Sequence, residues 1–278
     1  MKNTKTDVLE KHFQSESSQI MSELYSGKID ATERLEYLLA SLSPDTTELM
    51  GEGVRYSDFI GPTVAVYSEP GLFSKPYFLD DISVYDTLVE NLLKTNELIK
   101  DRTFESEQQR LFNLAFHSVN RVQFLYFENV ISDHKAQQER TRILADIIEN
   151  NEVRPESEES PESKVSISDL RSSAMCMERA VVCHNMFRFL GVQSTLRTGK
   201  LYTGEKYEYH AWVEIERDDG VRYLYDPTNP LLIVNSDNVI TTIQPLLIKL
   251  EEGKVPSITW KILDSEGNTL KEKELSYS

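Results

Sequence analysis

Cysteine, positive charge and long apolar runs are all scarce in this chain of 278 residues, and each scarcity excludes something. The two cysteines, Cys176 and Cys183, lie seven residues apart in what reads as one helix. At about 1.5 Å of rise per residue their Cα atoms stand roughly 10 Å apart, beyond disulfide reach. They are read as free thiols, as a reducing compartment keeps them. His12, His117 and His134 are scattered along helical stretches, and the two cysteines do not form a zinc pattern, so no metal and no cofactor is expected. Thirty Lys and Arg face 46 Asp and Glu, a net charge of -16. A surface this acidic counteracts the clustered basic residues that phosphate binding needs, so neither nucleic acid nor an anionic membrane is expected as the main partner. Residues 1–14 lack the roughly 7–15 residue apolar core of a signal peptide, and no window approaches the roughly 20 apolar residues of a membrane span. A cytoplasmic location is expected.

What is present is enough for a real core, with 39% hydrophobic and 9% aromatic residues. Residues 18–42 carry apolar positions at Ile20, Met21, Leu24, Tyr25, Leu35, Leu38 and Leu39 with a break at Gly27, the pattern of a helical hairpin. Residues 56–79 are rich in Gly, Pro and aromatics and read as irregular, with one short strand at 63–67 and a place for a covering loop. Helical periodicity returns over 83–99 and 105–148, which makes the N-terminal region, 1–148, mainly helical. Residues 149–164, ENNEVRPESEESPESK, are acidic and nearly devoid of apolar side chains, as in a linker or exposed loop. Beyond it, residues 173–190 read as one helix ended by Gly191, followed by strands with turns at Gly204, Gly220 and Gly267. The domain 165–278 is thus α+β, and no internal repeat is visible.

Cys176 falls near the start of that helix, where exposed backbone donors and the helix dipole favour a thiolate and where Ser172 or Ser173 could cap the first turn. Cys183 belongs to an apolar stripe with Ala180, Phe187 and Leu190 and reads as core. His184, beside it, points about 100° away and reads as structural. Downstream, the strand YEYHAWVEI alternates with His210, Trp212 and Glu214 on one face, and a hairpin partner ends in Asp226 followed by Pro227, Thr228, Asn229 and Pro230. If the hairpin loop holds three residues, His210 and Asp226 are either directly paired or one diagonal step apart, and both share a face. A two-residue turn at Asp219-Gly220 breaks that parity. A carboxylate within reach of an imidazole fixes its tautomer and stabilises its cation, the arrangement a thiol nucleophile and its base require.

The run CMERAVVCHNMFRFLGVQSTLRTGKL, then YHAWVEIE, then YLYDPTNP, resembles the transglutaminase-like superfamily. That family's pattern is a helix-start Cys, a Gly fifteen residues on, His-Ala-Trp on a strand and Asp-Pro-Thr on the next, and Cys176, Gly191, His210 and Asp226 occupy those places. Ala180 and Gly199 also fall where the family has them, whereas Ala174 stands where a Gly is usual. The resemblance, over roughly 166–230, implies a papain-like domain with a catalytic helix packed on a mainly antiparallel sheet. It implies Cys176 as nucleophile, His210 as base, Asp226 as the residue that orients the histidine, and thiol chemistry on amide bonds. No upstream Trp or Gln can be assigned to an oxyanion hole, and Trp212 is read as a pocket wall.

Two functions follow. One is a cysteine peptidase or amidase, or an amine transferase, acting through a thioester on a protein or peptide substrate. The other is a catalytically degenerate transglutaminase-like protein that serves as a protein-binding module.

Overall fold

The periodic apolar stretches fold as helices and the alternating ones as strands. The computed structural model describes residues 65–66, 77–80, 82–128, 134–152, 163–217 and 219–278. The hairpin expected over 18–42 lies outside the described residues. By contact the chain divides into two compact units, one containing 82–122 and 185–192, the other 64–81, 123–184 and 193–278.

In the first unit, helix α1 (Ile82–Ile99) buries Val84, Leu88, Leu92 and Ile99 at helical spacing. Helix α2 (Glu107–Tyr126) buries Leu111, Leu114, Ala115, Val119 and Val122 in the same way. Arg110 on α2 donates to Asn96 on α1, and Phe116 stacks on Phe187 with centroids 6.5 Å apart. Helix α3 (His134–Glu152), which belongs to the second unit, extends into the stretch read from composition as linker. Its alternating charges support it from outside: Arg142 bonds both Glu139 and Asp146 within one turn.

In the second unit, strands β1 (Ala65–Val66), β2 (Tyr77–Asp80) and β3 (Ser163–Ser166) form a small sheet in which β2 and β3 run parallel. The β2 segment reads as irregular from its composition; its parallel partner β3 lies more than 80 residues away, so no local pattern marks that pairing. A 3₁₀ turn, Ile167–Leu170, capped by the Ser166 hydroxyl, leads to helix α4 (Cys176–Phe189). Gly191, at φ 79°, ends that helix, with the Val192 and Gly191 amides donating to the Phe187 and Arg188 carbonyls.

The remaining strands are β4 (Gln193–Tyr202), β5 (Tyr207–Glu216), β6 (Arg222–Val234), β7 (Ile240–Lys249), β8 (Ser257–Asp264) and β9 (Thr269–Tyr277). Their order is β5-β4-β9-β8-β6-β7, and a further β5–β6 pairing closes the sheet into a barrel. All neighbours are antiparallel except β6 and β8. Leu201, Trp212, Leu224, Leu246, Trp260, Leu275 and Tyr277 form its core. Closure leaves few open edges, which an isolated sheet of this length would otherwise expose.

Strand β6 is the pivot. Its first half pairs with β5 and its second with β8, and the register against β7 jumps between Asp226 and Leu231. Pro227 and Pro230 bracket the jump; proline has no N–H for the ladder, so the chain steps out of register there. The Trp260 indole N–H holds the freed Pro230 carbonyl at 2.7 Å. The bulge turns Asp226, Thr228 and Asn229 toward one another, a device common beside functional sites.

Candidate functional site

The first turn of α4 carries Cys176, half-buried. Neither serine caps it: the Ser173 hydroxyl is buried without a hydrogen-bond partner. Instead Glu178 reaches back, its Oε2 accepting from the Met175 N–H at 2.9 Å, the acidic half of a capping box. Its Oε1 is held by Arg140 of α3 at 2.7 Å, and both side chains are almost wholly buried. The helix start is therefore clamped by a desolvated ion pair. The Cys176 and Met177 N–H groups, in the first turn, have no partner within the helix.

The β5–β6 hairpin brings the histidine and aspartate together. Arg217 N–H bonds the Val221 carbonyl, so the loop holds three residues, with Gly220 at φ 78° supplying the left-handed conformation such loops need. Val213 lies opposite Tyr225. In that register His210 is one diagonal step from Asp226, one of the two arrangements expected from the sequence. His210 Nε2 stands 2.7 Å from Asp226 Oδ2, with the histidine 8% and the aspartate 1% exposed.

Asp226 is surrounded by donors. Oδ2 accepts from His210 Nε2, from Asn229 Nδ2 at 2.8 Å and from the Tyr277 hydroxyl at 2.7 Å. Oδ1 accepts from the Thr228 amide at 2.9 Å and its hydroxyl at 2.7 Å. Burial alone would raise this carboxyl, but the His210 charge and the ring of donors outweigh it and hold the group well below the usual carboxylate range. Burial likewise pulls His210 down, yet the Asp226 charge, its hydrogen bond and a side-chain hydrogen bond with Cys176 lift it to about 10. The imidazole is thus cationic at neutral pH. With Nε2 committed to Asp226, Nδ1 is the ring nitrogen left for the thiol.

The expected pocket wall, Trp212, is 7% exposed; it stacks on His210 at 6.4 Å and meets Tyr277 edge-on at 5.5 Å. It braces the imidazole from the barrel core. Gly199, opposite His210 on β4, permits this: a Cβ there would stand 2.7 Å from the Trp212 ring and 2.4 Å from the Ser278 carbonyl.

Cys183 lies two turns along α4, fully buried and hydrogen-bonded to Tyr225; burial pushes its thiol up to about 12. Around it the helix is covered on more than the single stripe the sequence suggested, since Val181, Val182 and Met186 are as buried as Ala180 and Phe187. His184 meets the Ser194 hydroxyl at 2.9 Å and is structural. Arg179, buried beside Cys183, donates to the Ala174 carbonyl and to Gln123 Oε1 and lies over the Phe127 ring at 4.8 Å. Gln123 Nε2 in turn holds the Pro227 carbonyl at 2.6 Å. Both ends of the Gln123 amide are engaged, so this buried upstream glutamine links α4 to the proline bulge.

Residues 163–222 match the family model of the transglutaminase-like superfamily. The match contains Cys176 and His210 and stops four residues before Asp226. Neither the curated proteins nor the solved structures yield a match. Among the described residues no helix is long and apolar enough to cross a membrane, and no group of three or more His, Cys, Asp or Glu is placed to hold a metal ion.

Three participants were not legible from sequence. Tyr277 is 51 residues beyond Asp226, and Glu178 and Arg140 are 38 apart; only the closed barrel and the packing of α3 bring them in. Asn229 and Thr228 had a faint signal in the DPTN string.

Proposed function

We propose that the chain is a cysteine-dependent amide-bond enzyme with Cys176 as nucleophile, His210 as acid and base, and Asp226 as the group that orients His210. The observation that carries the reading is the buried His210–Asp226 pair, whose imidazole also feels the half-buried Cys176 thiol at a helix start. A cationic imidazole beside a thiol at a helix N-terminus favours the thiolate, the form that attacks carbonyl carbon. Attack would place the developing oxyanion near the free first-turn N–H groups of Cys176 and Met177. His210 would then pass its Nδ1 proton to the leaving amine, giving a thioester on Cys176 and a neutral imidazole. That imidazole would deprotonate water, completing hydrolysis, or an incoming amine, completing transfer. In this reading the enzyme is cytoplasmic and papain-like, and its substrate is a protein or peptide.

Acid-quenched intact-mass spectrometry on a peptide pool, with and without a primary amine, tests it. An adduct on Cys176 that hydroxylamine removes and that Cys176→Ala lacks is expected; amine-extended peptides would mark transfer and shortened or deamidated ones hydrolysis. Absence of any Cys176 adduct across the pool, with the folded protein intact, would favour the binding-module reading.

A further inference from the structure

Asp226 Oδ2 does not serve His210 alone. Tyr277 reaches it from β9, on the far side of the barrel seam, and its phenol, 2% exposed, lies 2.7 Å from the same oxygen that accepts from His210 Nε2. The ring is fixed independently of that bond. It sits 6.0 Å from the His210 ring and edge-on to Trp212, and its backbone is held by β4 through Leu201 and by the Pro256 carbonyl. A phenol placed so firmly, aimed at a carboxylate that already has four other donors, is more than is needed to satisfy a buried acceptor. Two lone pairs on Oδ2 are shared among three donors, so each donor weakens the others' hold.

We infer that Tyr277 is a positioning residue of this site: by drawing charge on Asp226 Oδ2 away from His210, its hydroxyl keeps the His210 proton transferable. This rests on the function proposed above, because it matters only if His210 must give its proton to a leaving group. An imidazolium bound too tightly to its carboxylate is a poor acid; one bound less tightly releases its Nδ1 proton at the moment the C–N bond breaks. The proton moves from Nδ1 to the amine, and no proton leaves Tyr277 or reaches Asp226. Other charged and titratable groups face the pair and must be held constant in any test. They are Cys176, Arg179 and Cys183 on α4, Tyr225 beside Asp226 on β6, and Lys273 on β9.

The test is a ¹⁵N-histidine NMR titration of the full chain, with His210 assigned by its loss in His210→Ala. Tyr277→Phe keeps the ring and removes the donor. The His210 midpoint is expected to rise by at least about half a unit, roughly a threefold change in its proton affinity, and the proton on Nε2 to move downfield. Site-specific 3-fluorotyrosine at position 277, a stronger donor of nearly the same shape, is expected to move both readouts the opposite way. An unchanged or lowered midpoint in Tyr277→Phe, or in its place an unchanged midpoint with fluorotyrosine, overturns the inference and leaves Tyr277 as packing. Neither readout needs turnover, so loss of the enzymatic reading would not mimic either result.

Discussion

Cys176 and Cys183 sit seven residues apart on α4, and nearly everything that separates a reactive thiol from an inert one differs between them. Cys176 is half-buried at the helix start, with a cationic imidazole beside it. Cys183 is fully buried, bonded to a phenol whose own ionisation is pushed far up by burial. The cation nearest Cys183, Arg179, lowers its thiol only in part, since desolvation is the larger effect. Proximity to a positive charge therefore does not by itself make a thiolate. What differs is solvent and the helix end, and whether the nearby cation can also take and return a proton, which arginine cannot do.

The comparison is broken most sharply by removing one thiol at a time. Cys176→Ala is expected to abolish thioester formation, at least about 10⁴-fold. Cys183→Ala should leave adduct formation intact and lower stability by about 1 kcal/mol, read by urea denaturation, because it empties only a small volume. A Cys183→Ala variant without adduct would contradict the assignment of the two roles.

Arg140→Ala comes next. It leaves Glu178 buried without its cation, for which about 3–5 kcal/mol of destabilisation is expected. Because Glu178 caps the turn that carries Cys176, alkylation of Cys176 in the folded variant should slow while Cys183 stays protected. Equal effects on both thiols would mean that the pair holds the whole helix and not its start.

Gly199→Ala is a smaller intrusion on the imidazole's side. The added methyl must displace both the Trp212 ring and the Ser278 backbone, at about 1–3 kcal/mol. It should broaden or split the His210 NMR signal, since Trp212 and Tyr277 are what fix that ring.

The pH dependence of stability sharpens the account without any substitution. His210, lifted from 6.5 to about 10, contributes fully below 6.5 and loses its contribution as pH rises toward 10. Asp226, lowered from 3.8, contributes above 3.8 and loses its contribution as pH falls. The urea midpoint should therefore be highest between these limits and decline on both sides, and Asp226→Asn should flatten the decline on the basic side.

Local patterning carried much of this site. The helix start, the alternation of His210 with Trp212, and the three-residue loop that puts His210 diagonal to Asp226 all depend on residues within one hairpin or one turn, where sequence spacing maps directly onto space. The Gly191 stop was legible for the same reason. The rest depends on contacts between distant segments. No spacing rule could assign Tyr277 to Asp226, because that contact exists only once β9 pairs with β4 and the β5–β6 pairing closes the barrel. Composition misled at the end of α3, where polar residues that look like linker are carried on by a helix already nucleated upstream, as far as Glu152. The serine cap failed for a related reason: a capping glutamate with a buried arginine behind it outcompetes a hydroxyl.

The most direct test is the pH dependence of iodoacetamide labelling at Cys176 and Cys183 separately, by peptide mass spectrometry, in the native protein and in His210→Ala. The account predicts that Cys176 labels readily near pH 6, that His210→Ala slows it there by about 10²-fold or more, and that Cys183 stays unlabelled in both unless the protein unfolds. Labelling of Cys176 no faster than Cys183, and indifferent to His210, would contradict it.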